Sequence, residues 1–213
     1  AIDISILLYQ VVISTRSRSG TDHLDSNGNI STHVLGLFNK TINLLKKKII
    51  PVFIFDGKPP DIKKKTLDIR KETRKKARNK IKDAKDEKER IKYLKRSVSI
   101  NKKQLDDCRE LLNIMGIPYI DAPQEADSQC SYLAKSGLVD GVLTEDMDIF
   151  TFGSPVIYKN LYSSTKKPKI INLEEILYKT NLKFNEFVEW CCLLGSDYCK
   201  GIIDLNNVEI LEL

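Results

Sequence analysis

The run IIPVFIFD at residues 49–56, closed by the turn residues GKPP at 57–60, decides the fold. It is almost wholly apolar and rich in β-branched and aromatic side chains, without the alternation of a half-buried strand. A strand of that kind is covered on both faces, as strands of parallel sheets are. It stops at Asp56, so an acid stands where a buried run meets the surface.

Outward from this strand the chain alternates in type. Upstream, AIDISILLYQVVIST reads as a short buried strand with Asp3 at or near its end, running into an apolar helix to about Ile13. RSRSGTDHLDSNGNIST follows as a polar, exposed loop. Residues 31–48 have apolar positions at 34, 35, 37, 38, 42, 44 and 45, which suits a helix with a basic last turn. Downstream, NKKQLDDCRELLNIMG restores the 3.6 period and stops at Gly116, and IPYIDAP is a third strand. EADSQCSYLAKSG is a helix opened by Glu125 and Asp127, VDGVLTED is a fourth strand and PVIYKNLY a fifth. NLEEILYKT and KFNEFVEWCCLLG are two further helices. This order predicts an α/β fold, a mostly parallel central sheet flanked by helices on both faces.

With 213 residues and 41% hydrophobic content the chain can fill a core. No run of about 18 apolar residues is present, and the opening residues lack the basic start of a signal peptide, so neither a membrane span nor secretion is expected. Five cysteines, an odd number without a C-x-x-C pair, read as reduced thiols in an intracellular setting. The chain starts without Met inside an apolar run, and a stretch before Ala1 is expected. The net charge of +6 conceals an asymmetry. Residues 58–104 hold 20 Lys or Arg against 7 Asp or Glu, a net of +13, which leaves −7 for everything else. Such a segment, helical from Lys63 to about Arg96 but with little to bury, is either a solvated face or a phosphate-binding element that stands away from the body.

The acids of the remainder are not scattered. Asp3, Asp56 and Asp146 end apolar strands, Glu125 and Asp127 open a helix after the third strand, and Asp197 ends a helix. In open α/β sheets ligands gather beyond the carboxyl ends of strands, so these positions can converge. Any one of them reads as a helix cap or turn acid; six together require neutralisation. Oxygen ligands without His or Cys select hard ions such as Mg²⁺ or Mn²⁺, and His23 and His33 lie in or beside the polar loop. Two such ions can activate water and stabilise the leaving oxygen of a phosphodiester. If TEDMD is extended, Asp146 and Asp148 point one way, and Glu145 and Met147 the other.

FDGKPP at 55–60, APQEADSQC at 122–130, TEDMDIFTFGSP at 144–155 and LLGSDYC at 193–199 closely resemble the flap endonuclease branch of the XPG/Rad2 structure-specific 5′ nucleases. The resemblance covers nearly all of residues 1–201. It implies a PIN-like 5′ nuclease fold with a protruding basic helical arch through which a 5′ single strand passes, partly disordered when free. It divides one nuclease domain into residues 1–56, the arch at 57–104, residues 105–201, and a remnant at 202–213 where the family's duplex-binding helical module is not seen.

The resemblance also implies two Mg²⁺ ions, with Mn²⁺ as a substitute, held by Asp3, Asp56, Glu125, Asp127, Asp146, Asp148 and Asp197. Asp127 stands where the family has Glu, one methylene longer. Lys63 and Arg70 match two cations that contact the scissile phosphate; seven residues apart, they fall on one face of a helix. Tyr9 matches an aromatic that stacks on a terminal base, although its periodicity suits a core residue equally. Arg16 and Lys40 match DNA-backbone contacts, Lys40 without the fork of the usual Arg, and Gly195 matches a backbone approach to DNA. The implied activity is Mg²⁺-dependent cleavage near the base of 5′ flaps in replication and repair, with 5′-to-3′ exonuclease action. The implied partners are branched DNA and a sliding clamp, bound through a segment not seen in this sequence. A monomer in the nucleus, or at a viral replication site, is expected. The rival readings are an exonuclease 1-like or XPG-like nuclease and a DNA-junction-binding protein that no longer cuts.

Overall fold

The computed structural model describes residues 1–163 and 165–201. They form two compact units that interleave along the chain, whereas the segments expected from sequence are contiguous. One unit comprises residues 1–2, 56–66 and 122 onward, and the other residues 3–55 and 67–121. The expected remnant at 202–213 lies outside the described residues.

The second of these units carries the strand that opens the sequence reading. β1 (Ile2–Asp3) leads into α1 (Ile4–Ser19), whose first turn is capped by Asp3, which accepts from the N–H of Ser5 at 2.6 Å and of Ile6 at 3.4 Å. α1 runs six residues past the expected stop at Ile13. Its extra turns are supported by Arg16 and Arg18 at the negative end of the helix and close on Gly20, whose N–H donates to the Arg16 carbonyl; the Ser17 and Ser19 hydroxyls bond to the carbonyls four residues back. α2 (Thr32–Lys46) buries His33, whose Nε2 lies 2.9 Å from Asp107 Oδ2; His33 is a helix-packing residue and not part of the loop.

β2 (Phe53–Phe55) is shorter than the apolar run, and all three of its side chains are completely buried. It pairs in parallel with β3 (Tyr119–Asp121), Phe53 opposite Tyr119, in a sheet ordered β1-β2-β3. α5 (Lys102–Met115) leaves through Gly116, as its sequence predicts, and enters through an Asn101–Gln104 capping box.

The basic segment is helical over α3 (Lys64–Lys80) and α4 (Glu87–Arg96). Ala77 is the one buried residue of α3, and α4 has none. The expected partial disorder is replaced by helix for a local reason: the segment is rich in Lys, Arg and Glu, which are good helix formers, and Asp86 caps α4 by accepting from the Glu89 N–H. α4 also rests on α1, where Arg16 donates to the Leu94 carbonyl at 3.3 Å.

The first unit holds the other sheet. β4 (Val142–Leu143) pairs in parallel with β5 (Val156–Lys159), and β5 pairs antiparallel with β6 (Lys169–Asn172), a strand that the sequence reading missed. Ala1 extends this sheet, its amino group donating to the Gly141 carbonyl and its own carbonyl accepting from Leu143. The helices of this unit are α6 (Ala126–Lys135), α7 (Leu173–Thr180) and α8 (Phe184–Leu194). Among the described residues no helix is long and apolar enough to cross a membrane.

Candidate active site

The site is built where four short stretches of the first unit end. Asp56 leaves the apolar run and accepts from the N–H of Ala126, the first residue of α6, at 2.9 Å. The turn behind it is fixed by Gly57, whose N–H donates to the Gln124 carbonyl at 2.6 Å. A Cβ on Gly57 would stand 2.1 Å from the Ala122 carbonyl oxygen, so no larger residue lets the two turns meet. The FDGKPP and APQEAD motifs are therefore two halves of one joint.

Glu125 occupies the N-cap position of α6 but does not cap it. Its buried carboxylate instead forms a short ion pair with Lys63, which lies in the 3-10 helix Asp61–Lys63. The same ammonium lies 3.3 Å from Asp197 Oδ2 and 5.4 Å from the centre of the Tyr198 ring. Burial opposes the charge on Lys63, but the hydrogen bond and charge of Glu125, with Tyr198 and Asp197 behind them, more than offset it and raise the pKa of Lys63. Lys63 is thus a fixed cation and not a base.

In the first turn of α6, Asp127 is mostly buried, and its Oδ1 has no hydrogen-bond partner. Burial, and after it the charges of Asp146 and Asp56, push its carboxyl up to about 6. Asp148 is raised as well, by partial burial and then by Asp146 and Asp197. Asp146 thereby acts on both neighbours, and six acids share one field with a single lysine.

Two geometric expectations fail here. TEDMD is not extended: Asp148 begins a 3-10 helix, Asp148–Phe152, and donates its N–H to Asp146 Oδ1 at 3.0 Å, so the two acids meet through a turn and not by strand alternation. Glu145 does leave the site, its Oε1 accepting from the Asn160 N–H at 2.7 Å. Lys63 and Arg70 are not carried by one α-helix, because Lys63 is the buried last residue of the 3-10 turn before α3 and Arg70 is an exposed residue of α3.

Asp3 is also in that other unit, as the cap of α1. So are Tyr9, whose hydroxyl lies 3.5 Å from Arg74, and Arg16, whose guanidinium grips Asp22 through Nε at 3.0 Å and Nη2 at 2.8 Å. Lys40 is half-buried there, and its pKa is lowered by burial and then by Arg18 and Lys47. Gly195 ends α8 with φ of 100°, and a Cβ on it would stand 2.7 Å from the backbone nitrogen of Gly201; its glycine has a folding reason inside the chain.

Sequence reasoning missed Tyr198 and Thr66. Tyr198 sits within the quoted LLGSDYC motif, and the Thr66 hydroxyl donates to the Asp197 carbonyl at 2.8 Å from a stretch that reads only as basic helix.

The donor chemistry suits a hard divalent ion: the acids supply only oxygens, one of them is buried and unpartnered, and one lysine cannot neutralise six carboxylates. Among the described residues, however, no three carboxylate, imidazole or thiolate groups are drawn closely enough together to hold a metal ion as they stand.

Residues 1–77 match the XPG N-terminal domain and residues 116–197 the XPG I-region. Flap endonuclease 1 of Homo sapiens is 43% identical over 220 residues, which take in all of this chain and 57% of the relative. Flap endonuclease-1 from Methanococcus jannaschii superimposes with a TM-score of 0.76 at 32% identity, over all of this chain and 69% of that one. The chain belongs to the XPG/Rad2 family. Another XPG/Rad2 structure, the catalytic core of Rad2 in complex with DNA substrate, gives a TM-score of 0.75 at 32% identity, over 99% of this chain and 57% of that one. The chain spans about 57% of the length of the curated XPG/Rad2 relatives it matches. The α/β nuclease fold expected from sequence is the family's fold; three of the four quoted motifs lie within the two matched regions, and LLGSDYC runs two residues past the second.

Proposed function

We propose that the chain is the nuclease core of a structure-specific 5′ flap endonuclease that hydrolyses a DNA phosphodiester near the base of the flap. The carrying observation is the group of six acids around Lys63 with the unpartnered Asp127 oxygen, found in a chain whose relatives are flap endonucleases. Asp56, Glu125, Asp127, Asp146, Asp148 and Asp197, with Asp3, would hold two Mg²⁺ ions. When bound, these ions supply an activated water and charge stabilisation at the leaving oxygen.

The chain's own groups do the rest. Lys63 keeps its proton and offers a fixed positive charge to the scissile phosphate, and Arg70 on the exposed face of α3 offers a second. Arg18, Lys40 and Lys47 crowd like charges that a DNA backbone would relieve, Tyr9 offers a face for base stacking, and Gly195 leaves the backbone bare. Arg16 must exchange its grip on Asp22 to reach a phosphate. The water oxygen bonds to phosphorus as the bond to the 3′ oxygen breaks, leaving a 5′-phosphate and a 3′-hydroxyl. Removal of 5′ flaps in the nucleus during replication and repair, by a monomer, is the role this supports.

The test is cleavage of a 5′-labelled double-flap DNA with Mg²⁺, with EDTA and with Asp148→Ala. A cut near the flap base that needs Mg²⁺ and Asp148 is the expected result. Tight binding with no cut under any condition overturns it and leaves a junction-binding protein.

A further inference from the structure

Beyond α8 the chain turns back on itself. Ser196 donates its N–H to the Cys199 carbonyl at 3.0 Å, and the thiol of Cys199 reaches the carbonyl of Cys192, in the last turn of α8, at 3.4 Å. The Cys199 thiol also lies 3.3 Å from the Ser196 hydroxyl, and the Cys192 side chain is its neighbour. Cys192 is exposed and Cys191 and Cys199 are half-buried, whereas Cys108 and Cys130 are buried. Between Cys192 and Cys199 in the sequence lies Asp197, whose carboxylate faces Lys63 and whose carbonyl accepts from Thr66.

We propose that Cys192 and Cys199 form an oxidisable thiol pair whose disulfide clamps the loop that carries Asp197. A peroxide is the oxidant class. One thiolate attacks a peroxide oxygen, the O–O bond breaks, and a sulfenic acid forms as alcohol or water leaves. The second sulfur then attacks the sulfenic sulfur and expels water, so the two thiols lose two electrons in all and the peroxide gains them. The new bond closes a ring from the end of α8 across Gly195, Ser196 and Asp197, and fixes the carboxylate relative to the helix. Burial and the neighbouring Cys199 hold the Cys192 thiol above its ordinary pKa, which keeps its thiolate scarce and the first attack slow. The consequence for metal binding rests on the proposed function; the thiol chemistry does not.

The experiment counts free thiols in the denatured chain before and after hydrogen peroxide, and again after dithiothreitol, alongside Mn²⁺ affinity by calorimetry. The unaltered chain and Cys191→Ser are expected to lose two thiols reversibly, while Cys192→Ser and Cys199→Ser lose no reversible pair. Mn²⁺ affinity of the oxidised chain should fall about tenfold and recover on reduction. An equal reversible loss in Cys192→Ser, or no reversible loss in the unaltered chain, overturns the pair, and an oxidised chain with unchanged Mn²⁺ affinity overturns the clamp. If the reduced chain binds no Mn²⁺, the metal-site reading fails, and the thiol count still decides the pair.

Discussion

Lys63 and Arg70 lie seven residues apart and carry the same charge, yet the protein treats them oppositely. Lys63 is buried against two carboxylates and an aromatic ring, whereas Arg70 stands on a helix that buries one residue in seventeen. The same contrast separates the two charged regions at large. The acids of the first unit are held at a cost to stability that only chemistry explains, and the cations of α3 and α4 lie mostly at the surface, within reach of a polyanion.

The largest expected effect breaks this contrast at its centre. Lys63→Ala should lower flap cleavage about a hundredfold or more and, without divalent ions, destabilise the chain by about 3 kcal/mol, because Glu125 is left buried and unpaired. Arg70→Ala should lower cleavage about as much, yet leave chemical denaturation within about 0.5 kcal/mol of the parent. Equal stability losses in the two variants would erase the distinction.

Asp127 sharpens the other side. Its folded value of about 6 lies above the ordinary 3.8, so the native state binds this proton more readily than the unfolded one does. The resulting destabilisation is complete above about pH 6 and fades as pH falls toward 4. Asp127→Asn should therefore stabilise the metal-free chain at pH 7.5 by up to about 3 kcal/mol and flatten this part of the pH profile, as read by urea titration. A variant less stable than its parent would mean that the acid is paid for by contacts not recognised above.

On α3, Lys75→Ala should weaken single-strand DNA binding evenly across sequences and reduce the slope of log affinity against log salt by about 1. The smallest effect is expected at Glu145→Ala, which removes an acid beside the site but outside its field. Cleavage should change less than about twofold, and stability should fall by about 1 kcal/mol through the lost bond to Asn160.

The legible parts of this molecule are those in which one physical signal dominates. A short β-branched and aromatic apolar run closed by turn residues reads as a covered strand, and β2 is one; Gly116 ends α5 as read, because a helix stop is local chemistry. The acids were legible as a group, since five of the seven follow strands or open helices. Their local geometry was not. Whether TEDMD runs extended or winds into a 3-10 turn depends on Asp146 accepting the Asp148 N–H, a bond of about the same strength as its competitors with water. Lys63 was legible as a cation but not as a buried one, because among twenty basic residues nothing local marks the one that a distant Glu125 will claim. β6 was missed for a similar reason: KPKIIN is too polar to show as a strand until β5 offers it an edge.

The joint at Gly57 has a further consequence. Its amide hydrogen points into the Gln124 carbonyl in a space too small for a methyl group, so its exchange with deuterated solvent times the parting of the two turns. A slow, single-phase exchange that slows again when divalent ions are added would show Asp56 and Glu125 to be mounted on one rigid piece. That one amide can serve as a clock for the whole site, readable without DNA and without turnover.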